Sequence, residues 1–456
     1  MRKEMFNHEI NILRDTYRRL LRRNAKTNLI KLTRKTHPAD LGTVFRYFSD
    51  EEQISIFSLM KENEHTAEFL SELDDALVSD LLNNESLERI AAIIEKAPTN
   101  DQSDILNALE SGKAQSVIEL LNVEEQEEIA EIMGYPDDSA GALMNTEVFT
   151  LHEEITAGEA IKTLQDQEEA EMVFYLYIKD DDDRLVGVIS LRALTTTPST
   201  TTLKDIMIKN VHSIRPETDQ EDVARIVAQY NFLAVPVLDS ESHLLGIVTV
   251  DDVVDVIREE ATEDFLQMAG AGKDREILLK SSWENAKTRL PWLFASWIGG
   301  VIAASLIGAF ESMLENMLAL AAFIPVILGM GGNIATQSST IIVRGMATGR
   351  VNTGGEIKLI LKEMKVGLLL GILYGILLGF FANITFSNAH ENLGIVVGLS
   401  ICVSMIVAAT VGTVIPLILR KLDIDPAIAT GPFVTTSIDI LGVLFYFIIA
   451  GLFLSI

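Results

Sequence analysis

The chain holds a single cysteine, Cys402. A disulfide framework and a zinc knuckle are both excluded, because each needs at least a pair. Basic residues are scarce: 37 Lys+Arg stand against 65 Asp+Glu, a net charge of −28. Nucleic acid calls for a basic surface, so this balance argues against it as a partner. The opening stretch, MRKEMFNHEINILRDTYRRLLRR, lacks the apolar core of a secretory signal. It reads as a basic amphipathic helix, with Ile10, Leu13, Tyr17 and Leu20 at helical spacing. Packing on its own protein is the expectation, with contact to anionic lipid as the alternative. HExxH and GxxxxGK[ST] are absent, and no plausible Ser/His/Asp set stands in their place, so the chain does not read as an enzyme.

What is present is unevenly spread. Residues 1–37 carry 11 basic and 3 acidic side chains, whereas residues 38–290 carry 19 and 54. After Pro291 only 7 basic and 8 acidic residues remain. An acidic soluble half is therefore joined to an apolar half. The acids are either solvated faces or cation sites. The expected divisions are 1–37, a basic helix; 38–135, an acidic helical domain; 136–200 and 201–258, two related domains; 259–285, a connecting helix; and 286–456, a membrane domain.

Uncharged runs cover Pro291–Phe310, Met317–Val343, Val366–Ala389 and Asn392–Leu419, and a fifth, Pro426–Ile456, is broken only by Asp439. Each meets the ~20 residues that a bilayer core requires. Five all-α spans are expected. Lys280, Lys287 and Arg289 precede the first span, Arg344, Arg350, Lys358, Lys362 and Lys365 follow the second, and Arg420 and Lys421 follow the fourth. The other two loops hold only Glu311, Glu315, His390 and Glu391. The bias towards Lys and Arg puts the N-terminal half in the cytoplasm and the C-terminus outside.

Residues 38–130 show short, closely spaced helical patterns, such as LGTVFRYF, TAEFLSEL and LERIAAII, which fit an α-solenoid. From residue 144 an internal repeat begins. MNTEVFTLHEEITAGEAI matches MIKNVHSIRPETDQEDVA at an offset of 63, and RLVGVISLRAL matches HLLGIVTVDDV at an offset of 59. The repeat resembles a tandem pair of CBS domains, α+β in class. In that family a Thr and an Asp at the end of the motif often hold a nucleotide ribose, which implies Thr249 and Asp252 here. Ala193 replaces that Asp in the first copy. The resemblance further implies that Phe232 stacks an adenine and Arg192 reaches its phosphates, so ATP is a candidate ligand. Ordinary domain packing is the competing reading for these residues.

In DDVVDVIREEATEDFLQMAG, read as a helix, Asp252, Asp255, Glu259 and Glu263 share one face, and Glu260 and Asp264 form an adjacent row. Like charges at these spacings cost roughly 0.2–0.5 kcal/mol a pair. Bound divalent cations would relieve that cost. Asp439 poses the same question at membrane depth, where an ionisable side chain costs roughly 2.5–3.5 kcal/mol and normally faces water or a bundle interior. It is either a structural carboxylate bonded to a neighbouring helix or part of an ion path. No span holds a Lys or Arg to neutralise it. Gly431 and Pro432 suggest an irregular start to the fifth span. An irregular polar centre, GMGGNIATQSST (Gly329–Thr340), is expected in the second, bringing Asn333, Thr336 and Gln337 to membrane depth. In a symmetric dimer two copies of Asp439 would face each other and suit a divalent ion that keeps its waters, such as Mg²⁺.

Taken together, the acidic helical domain, YPDDSAGALM, the CBS pair, EEATEDFLQMAG, the GGN of the second span, LKEMKVGLLLG and DPAIATGPFVTTSID resemble the MgtE family of magnesium channels. The resemblance implies a homodimer in a bacterial-type cell membrane, with Asp439 as the pore's Mg²⁺ ligand and Thr435 among the pore-lining residues. It implies that cytoplasmic Mg²⁺ closes the pore through Asp104, Asp101 and Glu68, Asp219 and Glu221, Asp252 and Asp255, Glu260, Glu263 and Asp264, and Asp425 at the pore mouth. The chain departs from the family pattern at Asn100 and Asn231, where Asp can stand. A transporter of Co²⁺ or Mn²⁺, and a CBS-domain membrane sensor that does not conduct, are the alternative functions.

Overall fold

The structure, a computed structural model, describes residues 2–166, 174–272, 277, 280–351, 355–386, 391–422 and 424–454. His390 and the C-terminal Ile456, both used in the topology reading, lie outside them. The chain divides into two units, Met1–Val256 and Ile257–Ile456.

In the first unit the basic segment forms two helices, Arg2–Arg22 and Lys26–Lys35. They share one core with the short helices that follow, through Ile10, Tyr17 and Leu29. Tyr17 is fully buried, and its hydroxyl lies 3.3 Å from that of Thr33 and 3.4 Å from that of Thr36. Packing on its own protein is thus what the inner face does. Eight helices follow between Pro38 and Ile132, mostly of eight residues. Ser49, Ser86 and Asn122 cap the starts of three of them by accepting backbone N–H groups. Their buried positions form one continuous core, as an α-solenoid requires.

The repeat folds as two similar modules. The first has strands Thr150–His152, Tyr175–Lys179 and Leu185–Ser190; the second has Ala234–Leu238 and Leu244–Thr249. Each antiparallel pair carries one register shift, between Ile178 and Lys179 and between Val237 and Leu238. These positions stand at the offset seen in the sequence. The modules also exchange edges. Asn145, at the start of the first copy, pairs with Ile247 of the second, while Ile208, at the start of the second, pairs with Val188 of the first. Gly246 and Gly187 permit this: a Cβ at Gly246 would stand 2.7 Å from the Asn145 carbonyl oxygen, and one at Gly187 would meet Met207. Each module's core therefore includes residues from outside its own stretch of sequence.

In the second unit five helices are long and apolar enough to span a membrane: Ser282–Ala309, Leu318–Ala347, Glu356–Thr385, Leu393–Lys421 and Pro432–Leu454. The first starts nine residues before the uncharged run because Ser281 and Glu284 form a capping box. The second opens with a 3₁₀ segment, Leu318–Phe323, and then runs as a regular α-helix from Ile324 to Ala347. The irregular centre expected at Gly329–Thr340 does not form. Gly331 serves packing there, against Ile438 and Ser404, and the helix ladder stays intact. The expected break before the fifth helix is present: a 3₁₀ turn, Pro426–Thr430, ends at Gly431.

The third and fourth helices approach most closely. Gly367, Gly371, Gly375 and Gly379 recur every four residues on one face, and Gly394 and Gly398 answer from the other side. A Cβ at Gly375 would stand 2.6 Å from the Gly398 carbonyl oxygen. No other residue fits without separating the helices. We expect Gly375→Leu to destabilise the membrane unit by about 3 kcal/mol or more. Gly300→Leu, where nothing lies within 4 Å, should be close to neutral. Thermal unfolding in detergent compares the two.

Candidate functional site

Asp439 sits half-buried in the second turn of the fifth helix. Among the described residues no hydrogen bond or ion pair holds its carboxylate. On the N-terminal side, Thr435 bonds back to the carbonyls of Gly431 (3.4 Å) and Pro432 (3.2 Å). Asp425 accepts the Ala427 N–H at 2.8 Å and so caps the 3₁₀ turn before the break. On the second helix Asn333 and Gln337 are exposed in the single chain, and Thr336 is half-buried with its hydroxyl turned back to the Gly332 carbonyl (3.0 Å). These amides would be costly in lipid, so their face belongs against water or protein.

The acidic helix forms as one element, Val250–Met268. In the second unit its end lies against the start of the fifth membrane helix. A Cβ at Gly431 would meet the Gln267 carbonyl oxygen at 3.5 Å, and one at Gly270 would meet Pro432 at 3.3 Å. Gln267 is 1% exposed and donates to Glu263 at 2.9 Å, while its amide oxygen has no partner among the described residues. Glu260, Glu263 and Asp264 are half-buried, and Asp255 is exposed.

In the first unit a second acidic meeting point forms. Asn100, 8% exposed, donates to Asp252 at 3.1 Å. The other carboxylate oxygen of Asp252 accepts the Thr249 N–H and hydroxyl. Burial pushes the Asp252 carboxyl up to about 6, and the charges of Asp251 and Asp101 push the same way. Asp101 accepts the Ser71 hydroxyl at 2.7 Å. It too is raised, first by burial and then by Asp251 and Glu68. Glu68, Asp101, Asp251 and Asp252 thus interact, and among the described residues none of the four forms an ion pair. The Asn100 amide oxygen is buried beside them without a hydrogen bond. Asp104 is exposed on the same helix as Asp101. Among the described residues, no three Asp, Glu, His or Cys side chains of one chain converge closely enough to hold a metal.

The comparisons bear on this arrangement. The intracellular N domain of MgtE matches residues 36–138, CBS domains match 140–197 and 203–259, and the MgtE divalent cation transporter domain matches 324–449. The magnesium transporter MgtE of Bacillus subtilis is 33% identical over 418 residues, 91% of this chain and 92% of that one. The chain belongs to the MgtE family. The MgtE of Thermus thermophilus is 35% identical over 433 residues, 94% of this chain and 95% of that one. Among solved structures, the cytosolic domain of the Mg²⁺ channel MgtE in complex with ATP is 32% identical and superposes with a TM-score of 0.51, covering 53% of this chain and 99% of that one.

Other residues that the MgtE resemblance singles out have visible structural duties. Asp219 caps helix Gln220–Tyr230 by accepting the Glu221 N–H at 2.9 Å, and Glu221 is exposed. Thr249 and Asp252 form the start of the long acidic helix, as Ser190 caps the matching helix of the first copy. Phe232 is half-buried and stacks on Tyr230, with ring centroids 5.3 Å apart, while Arg192 is exposed. Asn231 stands at φ 54°, ψ 44°, a left-handed cap that Asn tolerates better than most residues. Two participants were missed in the sequence. Asp251 lies next to a chosen acid, and only the fold shows that it faces Asp101. Glu363 stands among Lys358, Lys362 and Lys365 and reads as a loop residue. It is 6% exposed on the third helix and accepts the Ser338 hydroxyl at 2.9 Å.

A raised carboxyl has a definite sign. The folded contact at Asp252 binds a proton more tightly than the unfolded chain does, so it is favoured below pH 4. It weakens as pH rises through about 6. In chelator, the protection of Thr99–Asn107 amides, taken relative to their intrinsic exchange rate at each pH, should fall between pH 4 and pH 6. Asp252→Asn should flatten that slope, and a slope unchanged in the variant would contradict the assignment.

Proposed function

We propose that this chain is a homodimeric Mg²⁺ channel for uptake, held closed by cytoplasmic Mg²⁺. The observation that carries the reading is Asp439, a carboxylate in a membrane helix that no group among the described residues bonds. A buried charge needs a counter-charge or water, and a hydrated divalent cation supplies both. Mg²⁺ sheds its waters reluctantly and is commonly held through one or two carboxylates. Two copies of Asp439, one from each protomer, match that requirement. The exposed amides of Asn333 and Gln337, with Thr336 and Thr435, give the path a polar wall. The relatives named as magnesium transporters supply the ion. The family's wider description, divalent cation transporter, favours Co²⁺ or Mn²⁺ as a second reading. In both readings the N-terminal half is cytoplasmic and the C-terminus is outside, in a bacterial-type cell membrane.

Closing follows from charge. Glu68, Asp101, Asp251 and Asp252 come together only against their own repulsion, and cations between them favour the compact state. By linkage the compact state then binds Mg²⁺ more tightly. Asp104 adds an acid to the first unit, and Asp255, Glu260, Glu263 and Asp264 continue the row along the acidic helix, whose end rests on Gly431 and Pro432. Each ion shifts the equilibrium only by its differential affinity, so several weak sites give a sharp response. ATP bound through Thr249 and Asp252 would draw on the carboxylate that Asn100 holds, coupling nucleotide to the same interface.

Asp439→Asn keeps the shape and removes the charge. In proteoliposomes it should reduce isotopic Mg²⁺ uptake to background while the protein still inserts. Uptake within two-fold of wild type would return Asp439 to a structural role.

A further inference from the structure

The outward face of the two basic helices is not used by the fold. Between Asp15 and Asp40 there is no acidic residue, in a chain whose net charge is −28. Arg22, Arg23, Lys26, Lys31, Arg34 and Lys35 are all exposed, and among the described residues none of the six pairs with a carboxylate. Leu29 and Thr33 turn the other side of helix Lys26–Lys35 into the core. Lys26, Ile30 and Arg34 then form one outward row at spacings of four, with Lys31 and Lys35 in the row beside it. Ile30, in the middle of the cations, is 39% exposed.

We infer that this face docks on an anionic lipid surface. Clustered cations on a helix face are drawn to anionic headgroups within a Debye length. The exposed Ile30 gives the row an apolar contact for the boundary between headgroups and acyl chains. The chain also carries its own membrane helices, which makes this docking an intramolecular event, so weak attraction suffices. The inference does not depend on which ion is transported, or on whether any is.

The test uses the full chain with Cys402→Ala and a polarity-sensitive dye on Thr27→Cys, a position exposed beside the row. It is placed in nanodiscs of brominated phosphatidylcholine, alone or mixed with brominated phosphatidylglycerol. Bromine quenching should appear only with phosphatidylglycerol. It should fall at least several-fold in high salt, in Lys31→Glu/Arg34→Glu/Lys35→Glu, and in Ile30→Gln. Quenching that is absent in both lipids, or equal in both, would overturn the proposal. So would a salt-sensitive dye shift without quenching, which would point to an acidic protein surface instead. Circular dichroism of each variant shows that the fold is retained.

Discussion

Carboxylates that no protein cation answers are the constraint on which this molecule turns. Among the described residues Asp439 has no hydrogen-bond or ion-pair partner. Glu68, Asp101, Asp251 and Asp252 meet in the first unit with one amide, Asn100, and two hydroxyls among them. Elsewhere the chain pairs its charges readily: Arg89 binds both Glu62 and Glu85, and Lys421 binds Glu356 at 2.6 Å. Lys and Arg are therefore available to the fold, and these acids go without them. Such carboxylates fit mobile cations, which can arrive and leave, better than fixed ones.

The rest of the architecture serves that arrangement. The solenoid presents Glu68 and Asp101 on short capped helices. The modules with exchanged edges hold the start of the long acidic helix, and Thr249 fixes Asp252 there. That helix continues to Met268 in the second unit, where its end, with Gly270 just beyond it, meets the break before the fifth membrane helix. The glycine stripe packs the third helix tightly on the fourth, and the buried bond between Ser338 and Glu363 ties the third to the second. Asn333 and Gln337, on the second helix, are left facing outward.

Much of this was legible in the sequence, for physical reasons. Uncharged runs gave all five membrane helices, since bilayer thickness sets their length and lipid tolerates few charges. Their ends were less legible: the Ser281–Glu284 cap and the charged turns from Glu356 onward carry helix beyond the apolar run. Alternation and offset exposed the repeat, but the crossing of Asn145 to the second module depends on contacts that no local pattern encodes. Asp439 stood out because it interrupts an apolar run. Asp251 and Glu363 did not, since charged neighbours hid them and only tertiary packing sets their surroundings. The polar stretch Gly329–Thr340 misled, because glycines in a packed membrane helix can mark close approach as readily as a break.

The central claim is that cations between unpaired acids hold the closed state. Patch recordings with stepped cytoplasmic Mg²⁺ test it most directly, comparing wild type with Glu68→Gln/Asp101→Asn/Asp251→Asn. Bridging by Mg²⁺ requires the variant to stay open at concentrations that shut the wild type. Screened repulsion at ~0.15 M salt reaches only about 8 Å, whereas a lost ligand forfeits a direct contact. Closure of the variant at lower Mg²⁺ than the wild type would contradict the account.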